Sequence, residues 1–112
     1  VLIAPDEVRE TFREGVSRGG HDEGGRSLRY LEWTWDPDPD DTLYRADYVF
    51  MLREGREAPR IETDSHVLGV FPQATWLALL REAGFEPETF LTPAWDDEHP
   101  AQVGFVGVKP AR

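Results

Sequence analysis

The chain has no cysteine and only one lysine, Lys109, among its 12 basic residues. Without cysteine there is no disulfide staple, no thiolate zinc site and no cysteine nucleophile, and the composition suits a reducing compartment, so a cytoplasmic location is expected. Long apolar runs are missing as well. The longest, such as Leu77 to Leu80, falls far short of the roughly 20 residues that cross a bilayer, and no membrane partner is expected. No basic segment followed by an apolar one marks a signal peptide, and the first residue is Val1 and not Met, so a trimmed or truncated chain is expected. Positive charge is scarce. The formal net charge is -10, and the arginines are scattered among acids without forming a stripe, which argues against a nucleic-acid partner. No repeat of solenoid length is present.

What is there suffices for one compact domain over residues 1–112: 39% of the chain is hydrophobic and 12% aromatic. Val1 to Ala4 reads as a short buried strand stopped by Pro5, and Asp6 as the cap of a short helix carrying Val8, Phe12 and Val16. Residues 18–26, with Gly19, Gly20, Gly24 and Gly25 and no apolar side chain, read as a flexible loop. Alternation then predicts three antiparallel strands, at Leu28 to Trp35, Thr42 to Arg53 and Arg60 to Val70, joined by the acidic Asp36 to Asp41 turn and by Glu54 to Glu57. In the second of these strands both faces look partly buried. Pro72 opens a helix with Trp76, Leu77, Leu80 and Ala83 on one face, Gly84 in the left-handed cap position and Phe85 packing back. Two strands follow, at Phe90 to Thr92 and Val103 to Val108, separated by an acidic loop at Asp96, Asp97 and Glu98. The fold class is therefore α+β: an antiparallel β-meander, one main helix and a C-terminal β-hairpin.

The segment Leu79-Leu80-Arg81-Glu82-Ala83-Gly84-Phe85, followed by two strands ending in Phe105-Val106-Gly107-Val108-Lys109-Pro110, resembles the close of class I S-adenosylmethionine-dependent methyltransferases. The resemblance spans nearly the whole chain. It implies that 1–25 hold the remnant of strand five, the short helix and the glycine-rich loop. Residues 26–71 would be an antiparallel insertion, and 72–112 the last helix and final hairpin of a Rossmann-like fold. Arg29-Tyr30-Leu31-Glu32-Trp33, the Asp36-Pro37-Asp38-Pro39 turn, and His66 followed by Leu68-Gly69-Val70-Phe71 are similar to an actinobacterial small-molecule group that includes amino-sugar N-methyltransferases. That family holds its cofactor with a glycine-rich loop after strand one and an acidic residue ending strand two, and neither has a counterpart here. The resemblance thus implies S-adenosylmethionine in a parent enzyme, with no cofactor held by this chain alone.

Methyl transfer asks a protein to align an acceptor, exclude water and take up a proton, so a base and an aromatic wall are the parts to seek. His66, on a polar strand face with Glu62 and Asp64, is the candidate base, its alternative being a structurally hydrogen-bonded histidine. Tyr30, Tyr44 and Tyr48 are candidates for a substrate wall able to meet a cationic amine, or equally for the sheet core. His21 in the glycine-rich stretch and Arg29 complete the substrate-binding set, Arg29 with the alternative of an ion pair to Glu32. Trp33, Trp35 and Trp76 read as core or interface residues. A metal set of His21, Asp22, Asp64, His66 and His99 can be drawn, but only Asp64 and His66 are spaced to share a strand face, and no metal is expected. The acidic turn lacks the glycine and terminal glutamate of a calcium loop.

Two functions compete. One is the C-terminal substrate-recognition and assembly portion of a methyltransferase acting on a small molecule, expected as a homodimer. The other is a stand-alone α+β module that binds a ligand or dimerises through its aromatic meander without catalysis.

Overall fold

The computed structural model describes residues 1–94 and 100–111. The acidic loop expected at Asp96 to Glu98, and His99, lie outside the described residues. Contacts divide the chain into two compact units, Val1–Phe12 with Val70–Arg112, and Arg13–Gly69, so the first unit is assembled from both ends of the chain.

In the first unit, β1 (Leu2–Ile3), β7 (Val103–Val108) and β6 (Glu86–Leu91) form an antiparallel sheet in the order β1-β7-β6. The central β7 is covered on both faces, with Val103, Gly104 and Phe105 in succession buried, as its uninterrupted apolar sequence demands. Phe105, Val103, Val8 and Leu80 form the core, with Ile3, Trp76, Leu77 and Phe85 packed against it. Complete burial of one such side chain stabilises by about 1.5–3 kcal/mol. The helix α1 (Gln73–Glu82) lays Trp76 on Phe105 with ring centroids 5.8 Å apart. Pro72 occupies its N-cap without a side-chain bond, and the Glu10 carboxylate instead accepts from the Gln73 N–H at 2.9 Å, placing negative charge where the helix dipole favours it. At the other end Gly84 (φ 96°) donates to the Arg81 carbonyl and Phe85 donates to the Leu80 carbonyl, the two bonds of a Schellman cap.

Val1 and Leu2 are 57% and 68% exposed in this chain, where β1 lies at the edge of the three-stranded sheet. One expectation for the first residues is corrected: the short helix after Asp6 does not form. A single turn closes where the Phe12 N–H meets the Val8 carbonyl, but Val8 makes a parallel bridge to Phe71, and from Gly15 the chain is extended.

The second unit is one antiparallel sheet of β2 (Gly15–Glu23), β3 (Arg26–Trp35), β4 (Leu43–Glu54) and β5 (Arg60–Gly69), in sequence order. Three of these strands are those the alternation predicts. The fourth, β2, replaces most of the expected glycine-rich loop: nine residues pair with β3, from Gly15 opposite Thr34 to Glu23 opposite Arg26. Only Gly24 and Gly25, with φ of 57° and 78°, form the turn, a two-residue hairpin whose positive angles match the twist of the flanking strands. The Asp36 to Asp41 turn is built by its own carboxylates: Asp36, Asp38 and Asp41 each accept a backbone N–H two residues on.

Candidate functional site

The register of the four-stranded sheet sorts the candidate residues by face. Opposite residues in antiparallel strands project to the same side, so Tyr30 of β3, Tyr48 and Phe50 of β4, and Asp64 and His66 of β5 share one face, together with Glu32 and Glu62. Their rings form a chain across three strands. Tyr30 stands 6.2 Å from Phe50, Phe50 stacks on Tyr48 at 5.6 Å with the planes 6° apart, and Tyr48 meets the edge of His66 at 5.4 Å. All but His66 are half-buried, leaving a ledge of π surface rimmed by carboxylates.

The electrostatics of this ledge follow from its neighbours. Burial, and then the Glu32 carboxylate beside it, push the Tyr48 phenol above its ordinary range, so it stays a neutral hydroxyl. Asp64 is held below the ordinary carboxylate range, first by its hydrogen bond to His66 and then by the Ser65 backbone N–H. An ionised carboxylate only accepts. The 2.9 Å contact therefore puts the proton on His66 Nε2, and in the neutral ring Nδ1 is left as the acceptor. The carboxylates and ring faces converge on what a cation seeks, and Nδ1 is a group able to take a proton.

Tyr30 joins this ledge to a second feature. The β2 edge carries no side chains at Gly19 and Gly20, and an open depression of about 720 Å3 lies around them, bordered by Arg18, His21, Asp22, Arg29 and Tyr30. A Cβ on Gly19 would stand 2.5 Å from the Tyr30 hydroxyl oxygen, so the ring occupies the space that a side chain would fill. The sheet thus brings Tyr30, Tyr48 and His66 into one ledge, and His21, Arg29 and Tyr30 around one hollow.

Other candidates fall elsewhere. Tyr44 shares the face but is 5% exposed and belongs to the buried set with Ala46. His21 lies at the far end of the sheet, 3.3 Å from Glu23, and does not meet His66. Arg29 projects to the opposite face, where it holds Asp22 through two bonds of 2.9 and 3.1 Å. Its expected pairing with Glu32 is corrected, since residues three apart on one strand point to opposite sides. Arg29 first, then Ser27, lower the Asp22 carboxyl to about 2. Among the described residues no three metal-ligating side chains gather, because Asp22 and His21 diverge to opposite faces. The positive-φ glycines of the expected loop, Gly24 and Gly25, form a hairpin turn.

Phe50 and Gly19 were missed as site residues. Alternation placed Phe50 beside Tyr48, but the stacking needed coordinates, and nothing local marks Gly19 as the seat of a ring 11 residues away. Outside this site, burial, and then Asp6, raise the Glu7 carboxyl to about 7.

Comparison with solved structures places this geometry. The chain matches a sugar N-methyltransferase, KedS8 from Streptoalloteichus sp ATCC 53650, at 26% identity and a TM-score of 0.74, covering 96% of this chain and 41% of that one. It is similar to part of a methyltransferase. DesVI of Streptomyces venezuelae matches with 23% identity and a TM-score of 0.74, covering 96% of this chain and 43% of DesVI. A third match is CalS10, a SAM-bound amino pentose methyltransferase from Micromonospora echinaspora involved in calicheamicin biosynthesis, with 17% identity, a TM-score of 0.68 and coverage of 93% and 42%. The chain therefore spans about two fifths of the length of these proteins. No family model matches, and no curated protein does. No helix among the described residues is long and apolar enough to cross a membrane.

Proposed function

We propose that the chain is the C-terminal substrate-recognition and assembly portion of an S-adenosylmethionine-dependent methyltransferase whose acceptor is a small molecule bearing an amine, of the amino-sugar kind. The observation that carries this reading is the overlay of 96% of the chain on part of a sugar N-methyltransferase. The ledge supports it chemically. An amine and the apolar face of a sugar ring both suit stacked aromatic surface, with Glu32, Glu62 and Asp64 matching positive charge on nitrogen.

In this reading Tyr48, Tyr30 and Phe50 position the acceptor and keep water from one side of it. His66, fixed by Asp64, takes a proton at Nδ1. His21 and Arg29 border the hollow that receives the remainder of the acceptor. The residues present do not fit the cofactor, which belongs to another part of the parent protein. A cytoplasmic location, expected from the cysteine-free composition, goes with this reading.

The test uses the protein encoded by the complete reading frame. Incubated with S-adenosylmethionine and an amino-sugar acceptor, it should form the N-methyl product, and His66→Ala should depress turnover. Absence of methylation across amine, hydroxyl and thiol acceptors would refute the enzyme reading. Calorimetric titration of this chain with S-adenosylmethionine should give no binding heat, and micromolar affinity would overturn the assignment of the cofactor elsewhere.

A further inference from the structure

The carboxylates on the ledge side of the meander differ in how their charge is met. The register places Glu23, Glu32, Glu54, Glu62 and Asp64 on this face. His21 stands 3.3 Å from Glu23, Arg26 3.9 Å from Glu54, Arg60 3.5 Å from Glu62 and His66 2.9 Å from Asp64. Among the described residues Glu32 has no such basic partner. Glu32 is also half-buried, whereas the other carboxylates of this face are exposed. Its surroundings explain the lack of a counter-ion. Across the sheet it lies between Ser17 of β2 and Tyr48 of β4, and its same-side neighbours along β3 are Tyr30 and Thr34, all uncharged. The diagonal positions on β2 and β4 are glycine, alanine and Phe50, so no base reaches in from there. The Tyr48 phenol beside the carboxylate brings a hydroxyl but no positive charge.

We infer that Glu32 is the residue that holds the acceptor nitrogen, as an ammonium, and thereby selects an amine over a hydroxyl on the same carbon. This rests on the reading of the ledge as the seat of the acceptor. A carboxylate drawn partly out of water without a counter-ion is destabilising, and an incoming ammonium removes that cost. It donates one N–H to the Glu32 carboxylate while its remaining charge lies against the faces of Tyr30 and Tyr48, on either side of that carboxylate. A hydroxyl brings one donor and no charge, so it gains a neutral hydrogen bond and nothing from the ring faces. Glu62 and Asp64 serve the nitrogen less well, because Arg60 and His66 already meet their charge. The proton that leaves the ammonium before the nitrogen attacks is the one His66 takes at Nδ1. Holding the amine and deprotonating it thus fall to different residues of one ledge.

The test titrates the protein encoded by the complete reading frame with cyclohexylammonium and, separately, with cyclohexanol. The two probes share a ring and differ in the charged nitrogen, and amide shifts in β3 and β4 report their binding. The ammonium should bind about tenfold more tightly than the alcohol, the difference between a charge-assisted and a neutral hydrogen bond. Glu32→Gln keeps the size of the side chain and should remove that preference by weakening the ammonium alone, with the far-ultraviolet dichroism retained. Glu32→Asp, which keeps the charge on a shorter stem, should retain part of it. Glu54→Gln makes the same change in net charge on the same face and should leave the preference whole, so that overall charge is separated from the Glu32 contact. A wild-type protein without preference for the ammonium would overturn the inference. So would a preference that survives Glu32→Gln, or one abolished by Glu62→Gln in its place. Because methylation is not read out, failure here leaves the functional reading to its own test.

Discussion

The ring of Tyr48 meets the edge of His66 at 5.4 Å although the two lie on different strands, and it is Asp64, opposite Tyr48 in the register, that holds the His66 Nε2 proton. The aromatic wall and the base are therefore coupled in position. Tyr48→Leu removes the stack on Phe50 and the support for the imidazole together. We expect acceptor affinity to fall about tenfold, which is about 1.4 kcal/mol, with Tyr48→Phe closer to wild type because the ring is kept. Titration calorimetry with an amino sugar measures both.

Gly19→Ala tests the link between the hollow and the ledge. The new methyl would stand within 2.6 Å of the Tyr30 hydroxyl oxygen and ring carbons. These are the far end of a side chain that can swing away, so the ring is expected to move while the strand holds. Acceptor binding should weaken by severalfold, with a stability change under about 1 kcal/mol. Denaturant unfolding beside calorimetry separates the two effects.

Gly84→Ala acts on the fold alone. At φ 96° a Cβ is strained whatever the space around it, and a non-glycine residue in left-handed conformation costs about 1–2 kcal/mol. The Schellman cap and the Phe85 contact depend on this position. A lowered urea midpoint with an unchanged m-value is expected.

Glu7 predicts a pH dependence of stability. Its carboxyl rises from 4.5 to about 7, chiefly through burial and secondarily through Asp6. Between these values the native state retains a proton that the unfolded chain has lost, so this contribution is whole below about 4.5 and disappears as pH climbs through about 7. Glu7 is only half-buried, so after discounting for solvent screening the effect is on the order of 1 kcal/mol. Urea midpoints measured between pH 5 and 8 should fall less for Glu7→Gln than for the wild type.

Much of the architecture was legible from local pattern. Alternation in Arg29-Tyr30-Leu31-Glu32-Trp33 and in Tyr44 to Leu52 marked β3 and β4, and the Leu80 to Phe85 segment marked a helix with its cap, because each signal is completed within a few residues. The strand faces that Tyr30, Tyr48 and His66 occupy were legible on the same grounds. β2 was not. Its Ser17 to Glu23 run has no apolar alternation, and its extended state comes from pairing with β3 and from the Tyr30 ring covering Gly19.

What the sequence by itself determined is the period of β3, β4 and β5, and with it which side chains share a side of their own strand. The tertiary structure alone decided the register that joins Tyr30, Phe50, Tyr48 and His66 across three strands. It alone decided which side of the sheet is covered and which leaves Leu31, Trp33 and Met51 exposed. The physical reason is that alternation is local, whereas register and burial depend on partners many residues away.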